Sequence, residues 1–464
     1  MKKVFVFGID GAMPEMIFGE WLDEIPNIKK LMQQGCYAKL NSTIPPVSGS
    51  AWIGMLTGKS PADHGIFEYI YRRNYSYHDI HVTTSYNIKE KLIWQILGEK
   101  NKESIISFIP VTYPPRPLKG ILITGPMTPQ TEDVECTYPK ELKQEINNIL
   151  GEPLTADVPD FTNFRNSPKP EIIKEIYRLS KMHIKTMDYL IKNKSWDLFF
   201  TVINGSDRLN HMFWRYMDKQ HRKYEPNSEF EDVLKDYYKF VDQELGKLLR
   251  ELNEDTTIIV VSDHGITRMH NRVNLTDWLI KQGYLVLKEP ITEKTRFNFD
   301  LVDWEKTKVF AIGAYDAQIF INLKGREPEG IVDIEEYSQL VRELEDKLKK
   351  IPGDDEKELN TKVYIKKRDY DGRSIEEAPD MIVYFDNLQY GCNTSLIGNK
   401  TLWSPSTAQG SDDAAHSRQG IFIMKNNKAK GNLGEISYLD IAPTIFNELG
   451  LEVPKDMKGK VIRQ

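Results

Sequence analysis

Three aspartates and three histidines stand where they could hold divalent metal ions. Asp207 and His211 lie four residues apart in Gly205-Ser206-Asp207-Arg208-Leu209-Asn210-His211. On a helix their side chains share one face, about one turn apart, and can bind a single ion. Asp263 and His264 are adjacent in Ser262-Asp263-His264-Gly265. On a regular strand they would point to opposite faces, but where the strand breaks both can turn toward one ion. Asp10, in Gly8-Ile9-Asp10-Gly11, and His416, in Ala414-Ala415-His416-Ser417, complete the set. Singly, Asp10 reads more readily as a helix-cap or Asx-turn residue and His416 as a structural or surface histidine. Together the six supply about what two four- or five-coordinate ions require, and carboxylate plus imidazole ligation suits zinc or manganese. Two such ions about 4 Å apart stabilise an in-line displacement at phosphorus by holding both the attacking and the leaving oxygens. The nucleophile must come from another segment. Ser48 and Ser50 follow Pro45-Pro46 and precede a helical stretch. A metal-bound hydroxyl there loses its proton readily, and the helix N-terminus favours a bound phosphate. Ser48 could equally serve only as a helix cap.

Elements that bring these residues together are visible in the apolar pattern. Segments 4–9, 104–109, 197–203, 257–262 and 420–424 are short, rich in Val, Ile and Phe, and read as buried parallel strands. Segments 171–193 and 230–252 are amphipathic and long enough to be crossover helices. The alternation predicts an α/β fold with a mainly parallel sheet flanked by helices. In such sheets ligands gather beyond the carboxyl ends of the strands. Asp10, Asp207 and Asp263 all follow such a run. Segment 286–375 is more charged, with apolar runs at 309–312 and 318–323 and a Lys/Glu-rich helix near 334–350. It is expected to form a small α/β cap inserted into a discontinuous core of residues 1–285 and 376–464, which resumes at Ala378-Pro379-Asp380-Met381-Ile382-Val383.

The 464 residues carry 68 acidic and 62 basic side chains, a net charge of −6, so no global positive field awaits a nucleic acid polymer. No apolar run approaches the roughly 20 residues of a membrane-spanning helix. The N-terminal run reads as a buried strand rather than a signal peptide. Cys36, Cys136 and Cys392 are odd in number and widely spaced, which offers neither a disulfide framework nor a CxxC zinc site. A cytoplasmic location is expected.

The ordered set Asp10, Ser48, Asp207-x3-His211, Asp263-His264 and His416 resembles the alkaline phosphatase superfamily. Within it, the set is most similar to the type I phosphodiesterase and nucleotide pyrophosphatase branch and its predicted phosphohydrolase or phosphomutase group. Supporting segments run from Pro45-Pro46-Val47-Ser48 through Leu56-Thr57-Gly58-Lys59-Ser60-Pro61 and Lys324-Gly325-Arg326-Glu327-Pro328 to Asp440-Ile441-Ala442-Pro443-Thr444. The resemblance implies an alkaline-phosphatase-like core. It also implies that Asp207, His211 and His416 hold one metal, and Asp10, Asp263 and His264 the other together with the nucleophile oxygen. It selects Ser48 over Ser50, because the superfamily nucleophile lies ten residues before the glycine matched by Gly58. Ser48-Gly49-Ser50-Ala51-Trp52 lacks the Pro and Arg of a sulfatase motif.

These readings converge on a metal-dependent phosphoric ester hydrolase acting through a phosphoseryl intermediate on a small phosphodiester, nucleotide or phosphomonoester. Gly49, without a side chain to obstruct phosphate, is expected to offer its N–H to a non-bridging oxygen. Arg72, Arg73 and Asn74 are further candidates for substrate contact. A phosphomutase, returning the phosphoryl group to another substrate hydroxyl, is the alternative. A non-catalytic module binding metal or a phospholigand is a third reading.

Overall fold

The five apolar runs all become strands of one nine-stranded sheet. In this computed structural model the described residues are 2–131, 133–158, 164–291, 295, 297–313, 315–396, 401–405, 412–426 and 428–463. Val4–Ile9 lies inside the sheet, parallel to Leu198–Ile203 on one side and to Thr257–Val261 on the other. Ser104–Ile109 and then Gly120–Thr124 extend it in parallel beyond Leu198–Ile203. Alternate side chains explain the near-continuous apolar sequence. Phe5, Phe7, Phe199 and Val260 pack under the helices Lys169–Asn193, Gly205–Met217 and Val233–Arg250. Val4, Val6, Phe200 and Val261 pack under Ser48–Thr57, Ile93–Glu99 and Ile441–Glu448. Strands covered on both faces need no polar alternation.

One of the five strands departs from the predicted direction. Gln419–Lys425 runs antiparallel to Thr257–Val261 and to Cys36–Asn41. The position of His416 accounts for this. Asp10 and Asp263 follow their strands, whereas His416 precedes one, so its strand must run away from the edge at which the others end.

A second layer is larger than the expected cap. Val309–Gly313, Ala317–Ile321, Met381–Tyr384 and Lys362–Ile365 form a four-stranded antiparallel sheet. Met381–Tyr384 therefore belongs to this layer, and the core does not resume at residue 376. Asn271–Asn274, Tyr390–Asn393 and Trp403–Ser404 form a further small sheet whose Val273, Tyr390 and Cys392 join the same apolar cluster. A short apolar run does not encode which sheet it joins, and residues 378–383 carried no other signal. The hairpin joining Val309–Gly313 to Ala317–Ile321 carries Tyr315 and Asp316 toward the main sheet. All three cysteines are buried and free. Among the described residues no helix is long and apolar enough to cross a membrane.

Asp380 anchors that hairpin. Buried completely, it accepts from Arg326 Nη1 and Nη2 (2.7 and 2.6 Å), from Ile321 N (2.7 Å) and from the Tyr337 hydroxyl (2.9 Å). Arg326 belongs to the 324–328 segment that carried the family resemblance, and its role here is architectural. Asp380→Ala would take from Arg326 the carboxylate that receives both of its Nη atoms, leaving Glu327 at 3.0 Å as the remaining counter-charge, and should cost about 3 kcal/mol in denaturant unfolding. A loss below about 1 kcal/mol would show that the network does not hold the layer.

Candidate active site

Each of the seven residues expected at the site reaches the carboxyl edge of the central strands. Asp10 follows Val4–Ile9, and Gly11, at φ +67°, turns the chain so that its N–H donates to Asp263 Oδ1 at 3.1 Å. A left-handed residue is needed at that turn, and glycine adopts this conformation without strain. Asp207 and His211 occupy the first turns of helix Gly205–Met217. Asp263 and His264 fill the break between Thr257–Val261 and Gly265–Arg268, where the interrupted strand lets both side chains turn inward. His416 lies opposite Ile266 in the antiparallel pair Gly265–Arg268 and Ala414–Ser417. All seven are buried.

The histidines share one arrangement. His211 Nδ1 meets Ala414 O at 2.9 Å, His264 Nδ1 meets Gly265 O at 2.9 Å, and His416 Nδ1 meets Pro46 O at 2.7 Å. A carbonyl only accepts, so each Nδ1 carries the proton and each Nε2 turns inward as a lone pair. His211 Nε2 lies 3.1 Å from His416 Nε2 and 3.2 Å from Asp207 Oδ1, and His416 Nε2 lies 3.5 Å from that same oxygen. His264 Nε2 lies 3.2 Å from Asp263 Oδ2 and 3.7 Å from Asp10 Oδ1. Among the described residues, Asp207 Oδ1 and Asp263 Oδ2 have no hydrogen-bond donor. Inward lone pairs at these separations repel unless a cation lies among them, and the donor chemistry fits a divalent metal. Ligand atoms of Asp10, Asp263 and His264 all fall within 4.8 Å of one another, as do those of Asp207, His264 and His416. His264 stacks on His416 with ring centroids 3.7 Å apart, so the two groups are contiguous.

Charge confinement acts on the acids in different ways. Burial, then repulsion by Asp263 and Asp207, raises the Asp10 carboxyl well above its ordinary range. Burial and the charge of Asp207 push Asp263 up to about 7. Asp207 behaves oppositely: burial raises it, but attraction by His211 and His416 outweighs that and holds it low. Burial lowers His416, and its contact with Asp207 more than reverses this. A proton on His416 or a metal ion can relieve the same crowding.

The geometry separates the two serines. Ser48 Oγ lies 3.0 Å from His264 Nε2 and 3.3 Å from Asp10 Oδ1. Ser50 Oγ donates to Ile66 O at 2.8 Å and has no exposed surface. Ser48 opens helix Ser48–Thr57, whose first N–H groups have no intrahelical partner. A Cβ at Gly49 would stand 2.9 Å from Val111 and 3.1 Å from the Tyr69 ring, so even alanine would crowd this turn.

Arg72, Arg73 and Asn74 are not brought to the metal-ligand groups. The Arg72 guanidinium donates to Ser76 O at 3.0 Å and to Tyr75 O, and lies over the Phe310 and Phe320 rings. Arg73 pairs with Asp79 at 2.6 Å, and Asn74 takes a left-handed turn position. Two contributors escaped the sequence reading. Trp52 Nε1 donates to Asp10 Oδ2 at 3.1 Å. Its spacing of four from Ser48 on the same helix was the available signal. Tyr315 stacks on His211 with centroids 4.9 Å apart and its hydroxyl lies 3.2 Å from His211 Nδ1. Its neighbours in sequence gave no hint of this placement.

The match to known proteins spans nearly the whole chain. The family model described as type I phosphodiesterase / nucleotide pyrophosphatase matches residues 4–400. No curated protein sequence matches the chain. Among solved structures, human ectonucleotide pyrophosphatase / phosphodiesterase 5 superposes with a TM-score of 0.55 at 13% identity, covering 97% of this chain and 96% of that one. The murine form gives 0.54 at 13% identity, over 97% and 96% of the two chains. Phosphonoacetate hydrolase from Sinorhizobium meliloti 1021 gives 0.58 at 14% identity, over 97% and 95%. The α/β fold with its mostly parallel sheet is thus shared with these alkaline phosphatase superfamily structures. With its family model matched from the first strand of the sheet to residue 400, the chain belongs to the type I phosphodiesterase / nucleotide pyrophosphatase family of phosphoric ester hydrolases.

Proposed function

We propose that the protein hydrolyses small phosphoric esters through Ser48, with two divalent ions bound at the histidine and aspartate groups. The observation that carries this reading is the buried Ser48 hydroxyl, 3.0 Å from His264 Nε2 and 3.3 Å from Asp10 Oδ1, beside carboxylate oxygens that have no donor among the described residues. Asp207, His211 and His416 would hold one ion, and Asp10, Asp263 and His264 the other with Ser48 Oγ. Zinc is the first choice for these ligands and manganese the second. Bound there, such ions supply positive charge to the phosphoryl oxygens and lower the pKa of a bound hydroxyl or water.

The chain's own residues do the rest. Trp52 fixes the Asp10 carboxylate, and the backbone carbonyls of Ala414, Gly265 and Pro46 fix the three imidazole tautomers. Ser48 Oγ forms a bond to phosphorus as the bond to the leaving oxygen breaks, and the released group takes up a proton. Water then breaks the Ser48 oxygen–phosphorus bond and restores the hydroxyl. The Gly49 N–H, in the first helical turn, donates to a non-bridging oxygen. The layer built from residues 271–404 serves as a wall of the site through Tyr315. Small phosphorylated ligands fit this reading: the murine relative was solved as an inactive variant with AMP, and the phosphonoacetate hydrolase with phosphonoformate. The free buried cysteines suit a cytoplasmic location.

Ser48→Ala should lower turnover of 4-nitrophenyl phosphate or bis(4-nitrophenyl) phosphate by about a thousandfold or more while metal content stays at the wild-type level. Wild-type activity in that variant would remove Ser48 from the chemistry. His416→Ala should lose metal, read by elemental analysis, along with rate. Unchanged metal content would take His416 out of the ligand set. With a natural ester, one free phosphate or one released alcohol per turnover identifies hydrolysis, and an isomerised phosphate ester with no release identifies a mutase.

A further inference from the structure

We propose, resting on the two-ion reading above, that Tyr315 is a positioning residue: its hydroxyl, held by Asp412, fixes the His211 imidazole and sets how tightly the ion at that histidine is bound. The hydroxyl lies 3.2 Å from His211 Nδ1 and 3.3 Å from Asp412 Oδ2. An ionised carboxylate only accepts, so the hydroxyl proton goes to Asp412 and the phenolic oxygen faces Nδ1 as an acceptor. The Nδ1 proton of His211 is thus shared between Ala414 O at 2.9 Å and the Tyr315 oxygen. Among the described residues, Nδ1 of His264 and Nδ1 of His416 each meet a carbonyl alone. The Tyr315 ring also stacks on His211 at an interplanar angle of 9° and lies 4.8 Å from the His416 ring, centroid to centroid.

Asp412 is itself held from three directions. Arg165 Nη1 donates to its Oδ1, and Arg272 Nη2 donates to its Oδ2 at 3.1 Å. Arg272 is 1% exposed, and among the described residues its Nε and Nη1 have no acceptor, so turning away from Asp412 would strand a buried guanidinium. Burial raises the Asp412 carboxyl, but the neighbouring positive charges, that of Arg165 foremost, outweigh this and hold it low. The third tie is through the chain. Asp413 N donates to His211 O at 2.9 Å, and the Asp413 carboxylate receives Arg215 Nε at 2.7 Å, one turn beyond His211 on the same helix. The Asp412 carboxylate is therefore fixed relative to the helix that carries His211. Arg272 stands in strand Asn271–Asn274 and Tyr315 in the hairpin after Val309–Gly313, so the smaller layer reaches a histidine of the central site through this contact. Removing a hydrogen-bond partner behind a metal-ligating histidine typically weakens metal binding by about 10- to 100-fold.

Tyr315→Phe keeps the ring contacts and removes only the hydroxyl. In zinc titrations against a chromophoric chelator, the wild type should take up two ions, and the variant should bind one of them at least about tenfold more weakly while the other is unchanged. Unchanged affinities, or equal weakening of both, would overturn the proposal. Proton exchange at the histidine rings, read by nuclear magnetic resonance on metal-free protein carrying isotope-labelled histidine, is the second measurement. In Tyr315→Phe the His211 Nδ1 proton should exchange about tenfold faster, the loss of roughly one hydrogen bond, while His264 and His416 keep their rates. An unchanged His211 rate would overturn the proposal. If the wild type takes up no zinc, the two-ion reading fails on its own, and the exchange rates still support or overturn the hold of Tyr315 on the imidazole.

Discussion

Everything at this site follows from lone pairs that face one another in a buried space. Asp207 Oδ1 meets the Nε2 atoms of His211 and His416, and Asp263 Oδ2 meets that of His264, with no donor among the described residues reaching either oxygen. Burying unpaired acceptors at such separations costs several kcal/mol unless positive charge is shared among them. The fold holds the arrangement through hydrogen bonds from the outer nitrogens to backbone carbonyls, which no side-chain substitution elsewhere can easily replace. Cation binding here, as proposed, would therefore be coupled to the folding of this edge, and the same contacts position the Ser48 hydroxyl.

Strand direction turns that local requirement into an architecture. Parallel strands end together, so Asp10 and Asp263 meet despite their distance in sequence, because Val4–Ile9 and Thr257–Val261 are neighbours in the sheet. Asp207 arrives one helical turn after the strand on the other side. His416 comes before its strand, and the strand accordingly runs the other way. The order of ligand and strand along the chain carried this information, while the apolar composition of residues 420–424 did not.

Much of the core and of the buried Asp/His cluster was legible because buried strands and residues clustered at strand ends both leave short-range signatures. Helix spacing gave Asp207 with His211, and a strand followed by Asp-His-Gly gave the second pair. What escaped was long-range. Asp380 looked like the resumption of the core and instead binds Arg326 in the smaller sheet. Arg72 looked available to substrate, yet its guanidinium is occupied by backbone carbonyls and aromatic rings. Tyr315 reaches His211 from a hairpin 104 residues away in sequence. Nothing in the local pattern of these residues states which surface they will meet.

The central claim is that two cation sites lie side by side with Ser48 bound to one of them. Anomalous diffraction from crystals of the zinc- or manganese-loaded protein tests it most directly. Two peaks are predicted: one enclosed by Asp207, His211 and His416, the other by Asp10, Asp263, His264 and Ser48 Oγ, with zinc–nitrogen distances of about 2.0–2.1 Å. A single peak at saturating metal, or peaks away from these side chains, would contradict the account.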